Sequence, residues 1–196
     1  WAYLERARER GWEEEAARDL GAHYVNVNMI RHNDIPWPVV DAQGNLTEPL
    51  DFTAFDARID LLPGGTTYLL NLAMHWFADL RTDLTPWTPE HKHALHQWAL
   101  AIRDHLQSRG LGYERWAWYP KDEPATDEYA QLVRRFAETV HEADPRMLVF
   151  ANPFNRTTPE QIRIMGEEID IWCPNLSGLR PDDLTYMKTH GQRVWS

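Results

Sequence analysis

Asp122, Glu123 and Pro124 stand in one run, Trp118-Tyr119-Pro120-Lys121-Asp122-Glu123-Pro124, that follows an aromatic, apolar stretch. Neighbouring side chains within a strand point to opposite faces. Here the strand is ending, and Pro124 has no N–H to continue a ladder, so both carboxyl groups can turn to the same side. Two carboxyl groups held together resist simultaneous ionisation, which leaves one of them a proton donor near neutral pH. General acid catalysis at a glycosidic oxygen requires such a donor. The plainer expectation is that the pair supplies negative charge ahead of a helix opening at Thr126.

Other constellations point to less. His91, His93 and His96 are spaced i, i+2, i+5, which does not put three ligands on one helical face, and no H-E-x-x-H occurs. They read as a solvated helix surface, and neither metal nor cofactor is expected. No G-x-S-x-G elbow is present, and Cys173, the only cysteine, has no partner pattern, which disfavours Ser or Cys nucleophiles. Glycine-rich phosphate-binding fingerprints are absent.

The elements that position these residues alternate regularly. The Glu/Arg/Ala-rich stretch 2–20 predicts a helix stopped by Gly21. A strand is expected over 23–29, a loop with Pro36, Pro38, Gly44 and Pro49, then a helix at about 52–61 and a strand over 66–74. Thr88-Pro89-Glu90 marks a helix start, with Leu95, Trp98, Ala99, Ile102 and Leu106 on one face and Gly110 at the end. A strand over 113–119 precedes a helix opened by Thr126 and closed by Pro145. Strands follow at 147–151, 169–173 and 193–195, interleaved with helices opened by the capping box Thr158–Gln161 and at about 181–190. Apolar strands alternating with helices imply a parallel α/β sheet. The (β/α)8 TIM barrel is the preferred architecture, with 1–196 as a single, incomplete barrel domain covering about strands two to seven.

Composition narrows the function. The formal charge is −10, with both signs interspersed, which argues against a nucleic-acid surface. No apolar run is long enough for a membrane helix. Ten tryptophans in 196 residues is an unusual load, and indole faces suit sugar rings as well as cores. In a barrel the site lies at the C-terminal strand ends. His32, His75, Trp76, Trp118, Tyr119, Asn152, Trp172, Asn175 and Trp195 are expected on that rim as ligand-binding residues, joined by Trp37 and Trp87. Trp12 and Trp98 are assigned to helical packing. A carbohydrate is the expected partner.

The run from Trp118 to Pro124 resembles the strand-four motif of the glycoside hydrolase family 123 catalytic domain and its relatives, and the order of elements is similar along nearly the whole chain. That resemblance implies a (β/α)8 barrel and a retaining β-N-acetylhexosaminidase, with N-acetylgalactosamine favoured, in which the sugar's own acetamido oxygen is the nucleophile. It implies Glu123 as general acid/base and Asp122 as the group holding the acetamido N–H, with Asn152, Tyr119 or Asn175 donating to the acetamido oxygen. It also favours a secreted or periplasmic location. Lys121 departs from the expected pattern. Two alternatives remain: a two-carboxylate retaining glycosidase with Glu123 as acid/base, and a catalytically silent carbohydrate-binding barrel.

Overall fold

The computed structural model describes residues 4–62, 66–72, 80–175, 177 and 179–195; His75 and Trp76 lie outside the described residues. In chain order the elements are α1 (Glu5–Glu9), α2 (Glu13–Ala22), β1 (Val27–Arg31), α3 (Thr53–Leu61), β2 (Thr67–Asn71), α4 (Pro89–Ser108) and β3 (Trp116–Tyr119). They continue with α5 (Asp127–Ala143), β4 (Phe150–Ala151), α6 (Pro159–Met165), β5 (Ile171–Trp172), α7 (Pro181–Thr189) and β6 (Arg193–Val194). All the strand pairs are parallel. The order is β1-β2-β3 and β4-β5-β6, and the two halves are joined by the bridge Trp118↔Val149.

The register fixes two layers. Val27 pairs with Thr67 and Leu69 with Ala117, and with side chains alternating along each strand one face collects Met29, Leu69, Ala117, Tyr119, Phe150 and Ile171 in a single cluster. In a flat sheet β1 and β5 would lie roughly 19 Å apart at about 4.8 Å per strand. Residues from the two ends of that strand order nevertheless line one cavity, which requires the sheet to curl. Tyr24 to Val27 beside β1 and Cys173 and Trp195 near β6 line this cavity of about 570 Å3.

The opposite face lies under the helices and takes most of the tryptophan. Trp118 packs against Trp98 (ring centroids 5.0 Å), Phe136 (5.7 Å) and Trp116 (5.8 Å). Trp37 stacks on Trp98 at 5.3 Å. Trp98, Trp116, Trp118 and Trp172 are fully buried. Large aromatic side chains suit this layer because each removes well over 100 Å2 from water.

Helix starts follow their local chemistry. Thr88 accepts the His91 N–H with Pro89 in the first turn, Thr126 accepts the Tyr129 N–H, and Thr158 with Gln161 forms a reciprocal capping box. Several expectations need correction, among them the strand expected over 113–119, whose first residues Tyr113–Arg115 form a 3-10 turn ahead of β3. The N-terminal helix is two helices, broken where Gly11 takes φ +74°. The first strand runs 27–31, because Tyr24 is left-handed (φ +59°) and 91% exposed. Trp12 is an exposed surface residue beside the Arg10 guanidinium. His91 is fully buried, its ring edge-on to Trp87 at 5.5 Å, so the histidine face of α4 is not wholly solvated.

Candidate active site

Strand β3 delivers the acidic pair. Tyr119 is the last residue of β3 and faces the inner layer, where it meets Phe150 edge-on at 4.9 Å. Its hydroxyl donates to Asp122 Oδ1. Asn152, one residue beyond β4, donates from Nδ2 to the same Oδ1 at 2.8 Å and accepts the Glu123 N–H on Oδ1 at 3.0 Å. Hydrogen bonds to a charged group contribute about 1.5–3 kcal/mol each, so Asp122 is held by neighbours on two strand ends rather than by its own loop.

Glu123 sits beside it in a strained position. Its φ is +47°, a left-handed conformation that costs a non-glycine residue on the order of 1 kcal/mol or more, and a residue before proline is further biased toward extended backbone. Such a conformation persists only where its surroundings over-determine it. Here Asn152 takes the Glu123 N–H, the Thr157 hydroxyl donates to the Pro124 carbonyl at 2.8 Å, and Lys121 Nζ donates to the Asp122 carbonyl at 2.6 Å. The Glu123 side chain is exposed and Asp122 half-buried. One carboxyl group is immobilised and its neighbour is free to meet solvent or a ligand. That asymmetry is what a positioned binding group next to a proton-transfer group requires.

The structure brings together Tyr119, Asp122, Glu123 and Asn152. His32, 8% exposed, follows β1 on the same C-terminal side of the sheet, and its carbonyl accepts the Trp37 indole N–H at 2.7 Å. Asn175 is exposed and spends its side-chain oxygen on the Ser177 N–H and hydroxyl. Trp195 lies on the inner face against Phe150 at 5.8 Å and lines the cavity with Cys173 and Val27. Trp118 and Trp172 are not ligand platforms. Both have the strand parity that points under the helices, both are fully buried, and the Trp172 indole is bonded to Gln192 at 2.8 Å. Trp37 and Trp87 are half-buried and packed on Trp98 and His91.

Two further inward positions lie on the rim, and of these Asn71 escaped sequence reasoning. Arg31 and Asn71 are the paired last residues of β1 and β2, each two residues beyond an inner-layer apolar residue, Met29 and Leu69. Asn71 Nδ2 approaches Met29 Sδ at 3.4 Å. The signal available was the parity of the two strands, which becomes usable once the first strand is placed at 27–31.

No protein-family model and no curated protein matches the chain. Among solved structures, it is similar to an intracellular xylanase from Thermoanaerobacterium saccharolyticum in complex with xylotriose, at 16% identity and TM-score 0.53, over 86% of this chain and 63% of that one. It is also matched with a glycoside hydrolase family 5 enzyme from Prevotella bryantii at 12% identity and TM-score 0.47, over 83% of this chain and 53% of that one. A family 113 β-1,4-mannanase matches at 12% and 0.41, over 82% and 55%. The chain thus spans between 53 and 63% of the length of these structures. The likeness to the xylanase is one of fold: an α/β chain with a parallel sheet, similar to the (β/α)8-barrel glycosidases.

Proposed function

We propose that this chain is a single domain segment of a glycoside hydrolase of the (β/α)8-barrel type, with Glu123 and Asp122 at its active site. The observation that carries the reading is the fixation of Asp122 by Tyr119 and Asn152, with Glu123 exposed directly beside it at the C-terminal end of a parallel strand. The described ladders leave β1 and β6 paired on one side only, and an unpaired edge readily accepts a further strand. Additional parallel strands between β6 and β1 would close the barrel.

The favoured substrate is a terminal β-linked N-acetylhexosamine, N-acetylgalactosamine first. Among the described residues both donors to Asp122 converge on Oδ1, which leaves Oδ2 as the oxygen that would accept the acetamido N–H. The acetamido oxygen then attacks the anomeric carbon as the glycosidic bond breaks, and the leaving oxygen takes the proton from Glu123. Glu123 next removes a proton from water, whose oxygen adds to the anomeric carbon and reopens the ring intermediate with overall retention. Tyr119 and Asn152 are committed to Asp122, so in this scheme they orient the orienting carboxylate.

The likeness to a xylanase favours a second reading, in which Glu123 keeps its acid/base role and a carboxylate from another strand is the nucleophile. Turnover of matched aryl 2-acetamido and 2-hydroxy glycosides by the full-length protein separates them. An obligatory acetamido group supports the first reading; equal turnover of the 2-hydroxy sugar removes it. No turnover of either, with binding retained, would leave a silent carbohydrate-binding barrel.

A further inference from the structure

Lys121 has no part in that hydrolysis scheme, yet it is the most unusual side chain near the pair. It is 3% exposed, and a charge taken out of water needs compensating partners. Among the described residues no carboxylate forms an ion pair with it. Its Nζ instead donates to the Asp122 carbonyl oxygen at 2.6 Å and stands 4.6 Å from the centre of the Tyr129 ring, in the first turn of α5. Burial pushes its pKa down, and the charges of Asp122 and Glu123 oppose that shift.

The carbonyl of Asp122 and the N–H of Glu123 belong to one planar peptide group. Lys121 grips the oxygen end of that plane, and Asn152 Oδ1 grips the hydrogen end at 3.0 Å. A peptide plane held at both ends has its rotation fixed, and with it the ψ of Asp122 and the φ of Glu123. The left-handed φ of +47° at Glu123 is the conformation this grip has to maintain. We propose that Lys121 is a positioning residue that, together with Asn152, clamps the 122–123 peptide plane and so presents the two carboxyl groups in their working orientation. The term "working" rests on the glycosidase reading; the clamp does not.

Amide hydrogen exchange at Glu123 tests the clamp without needing turnover. In the full-length protein, Lys121→Met keeps the length of the side chain and removes donor and charge. Exchange of the Glu123 amide should rise about tenfold or more, with the amides of α5 unchanged. Lys121→Arg, which keeps a charged donor, should restore most of the protection. Tyr129→Leu, which leaves Lys121 in place but removes the ring beneath it, should raise exchange about threefold and serves if Lys121→Met does not fold. Parent-level protection at Glu123 in folded Lys121→Met, or in Tyr129→Leu where only that variant folds, would overturn the proposal. On a glycoside that the parent hydrolyses, Lys121→Met should lower kcat about tenfold with KM within about twofold. A parent that hydrolyses no glycoside overturns the glycosidase reading and leaves the exchange result to decide the clamp.

Discussion

Asn152 reaches from the end of β4 to Asp122 at the end of β3, its Nδ2 lying 2.8 Å from the carboxylate Oδ1. Its other side-chain atom accepts the Glu123 N–H, so one amide holds the carboxylate of one residue and the backbone of the next. Asn152→Ala removes both bonds. At about 1.5–3 kcal/mol for a bond to a charged acceptor, kcat/KM should fall on the order of 10- to 100-fold. The melting temperature should change by only a few degrees. A kinetic comparison with Asn152→Asp checks this, since the added negative charge beside Asp122 should be at least as damaging.

The tryptophans divide by strand parity. Trp118→Ala and Trp172→Ala each empty a fully buried site between sheet and helices, and should cost about 3–5 kcal/mol of stability. Denaturant melts would read this as a large fall in midpoint. Trp195, half-buried on the inner face, should cost distinctly less on the same substitution.

The sequence carried the order of elements because its signals are local. The Thr88, Thr126 and Thr158 caps and the apolar stripes of α4 and α5 depend on neighbours within a turn or two. Which face of a strand meets a ligand is not local. Trp118 and Tyr119 are adjacent and both aromatic, yet one lies under α4 and α5 and the other holds Asp122. That difference follows from sheet curl and register, set by residues dozens of positions away. The expected last three full strands reduce to two residues each in β4, β5 and β6. Asp122 and Glu123 were legible as a pair; their unequal environments come from Asn152, 29 and 30 residues away in the chain.

His141 makes stability depend on pH. Burial would lower its pKa, but its hydrogen bond and charge contact with Asp170, and then those with Glu168, outweigh burial and raise it. The ring nitrogens lie 3.2 Å from Glu168 and 3.2 Å from Asp170. A histidine whose folded pKa is raised contributes fully below its unfolded value of about 6.5 and loses the contribution as pH rises through the folded value. Urea midpoints should therefore fall from pH 6 toward pH 8 by more in the parent than in His141→Gln, at about constant ionic strength.

Gly44 anchors the long loop after β1 to α4. Its φ is +80°, and an added Cβ would stand 2.1 Å from the Glu90 carbonyl oxygen. Its own carbonyl accepts from Gln97 at 2.9 Å. Gly44→Ala should cost on the order of 1–3 kcal/mol, visible as a lowered midpoint in chemical denaturation, whereas Gly110→Ala, with open space around its Cβ, should pay only the left-handed backbone strain.

Hydrolysis of an aryl N-acetyl-β-galactosaminide by the full-length protein and by Glu123→Gln is the most direct test of the pair's role. The expected result is release of the aryl group by the parent with retained anomeric configuration, and a fall of at least about 100-fold in kcat for Glu123→Gln at unchanged fold. A parent rate fully preserved in Glu123→Gln would contradict the assignment of Glu123 as the acid/base.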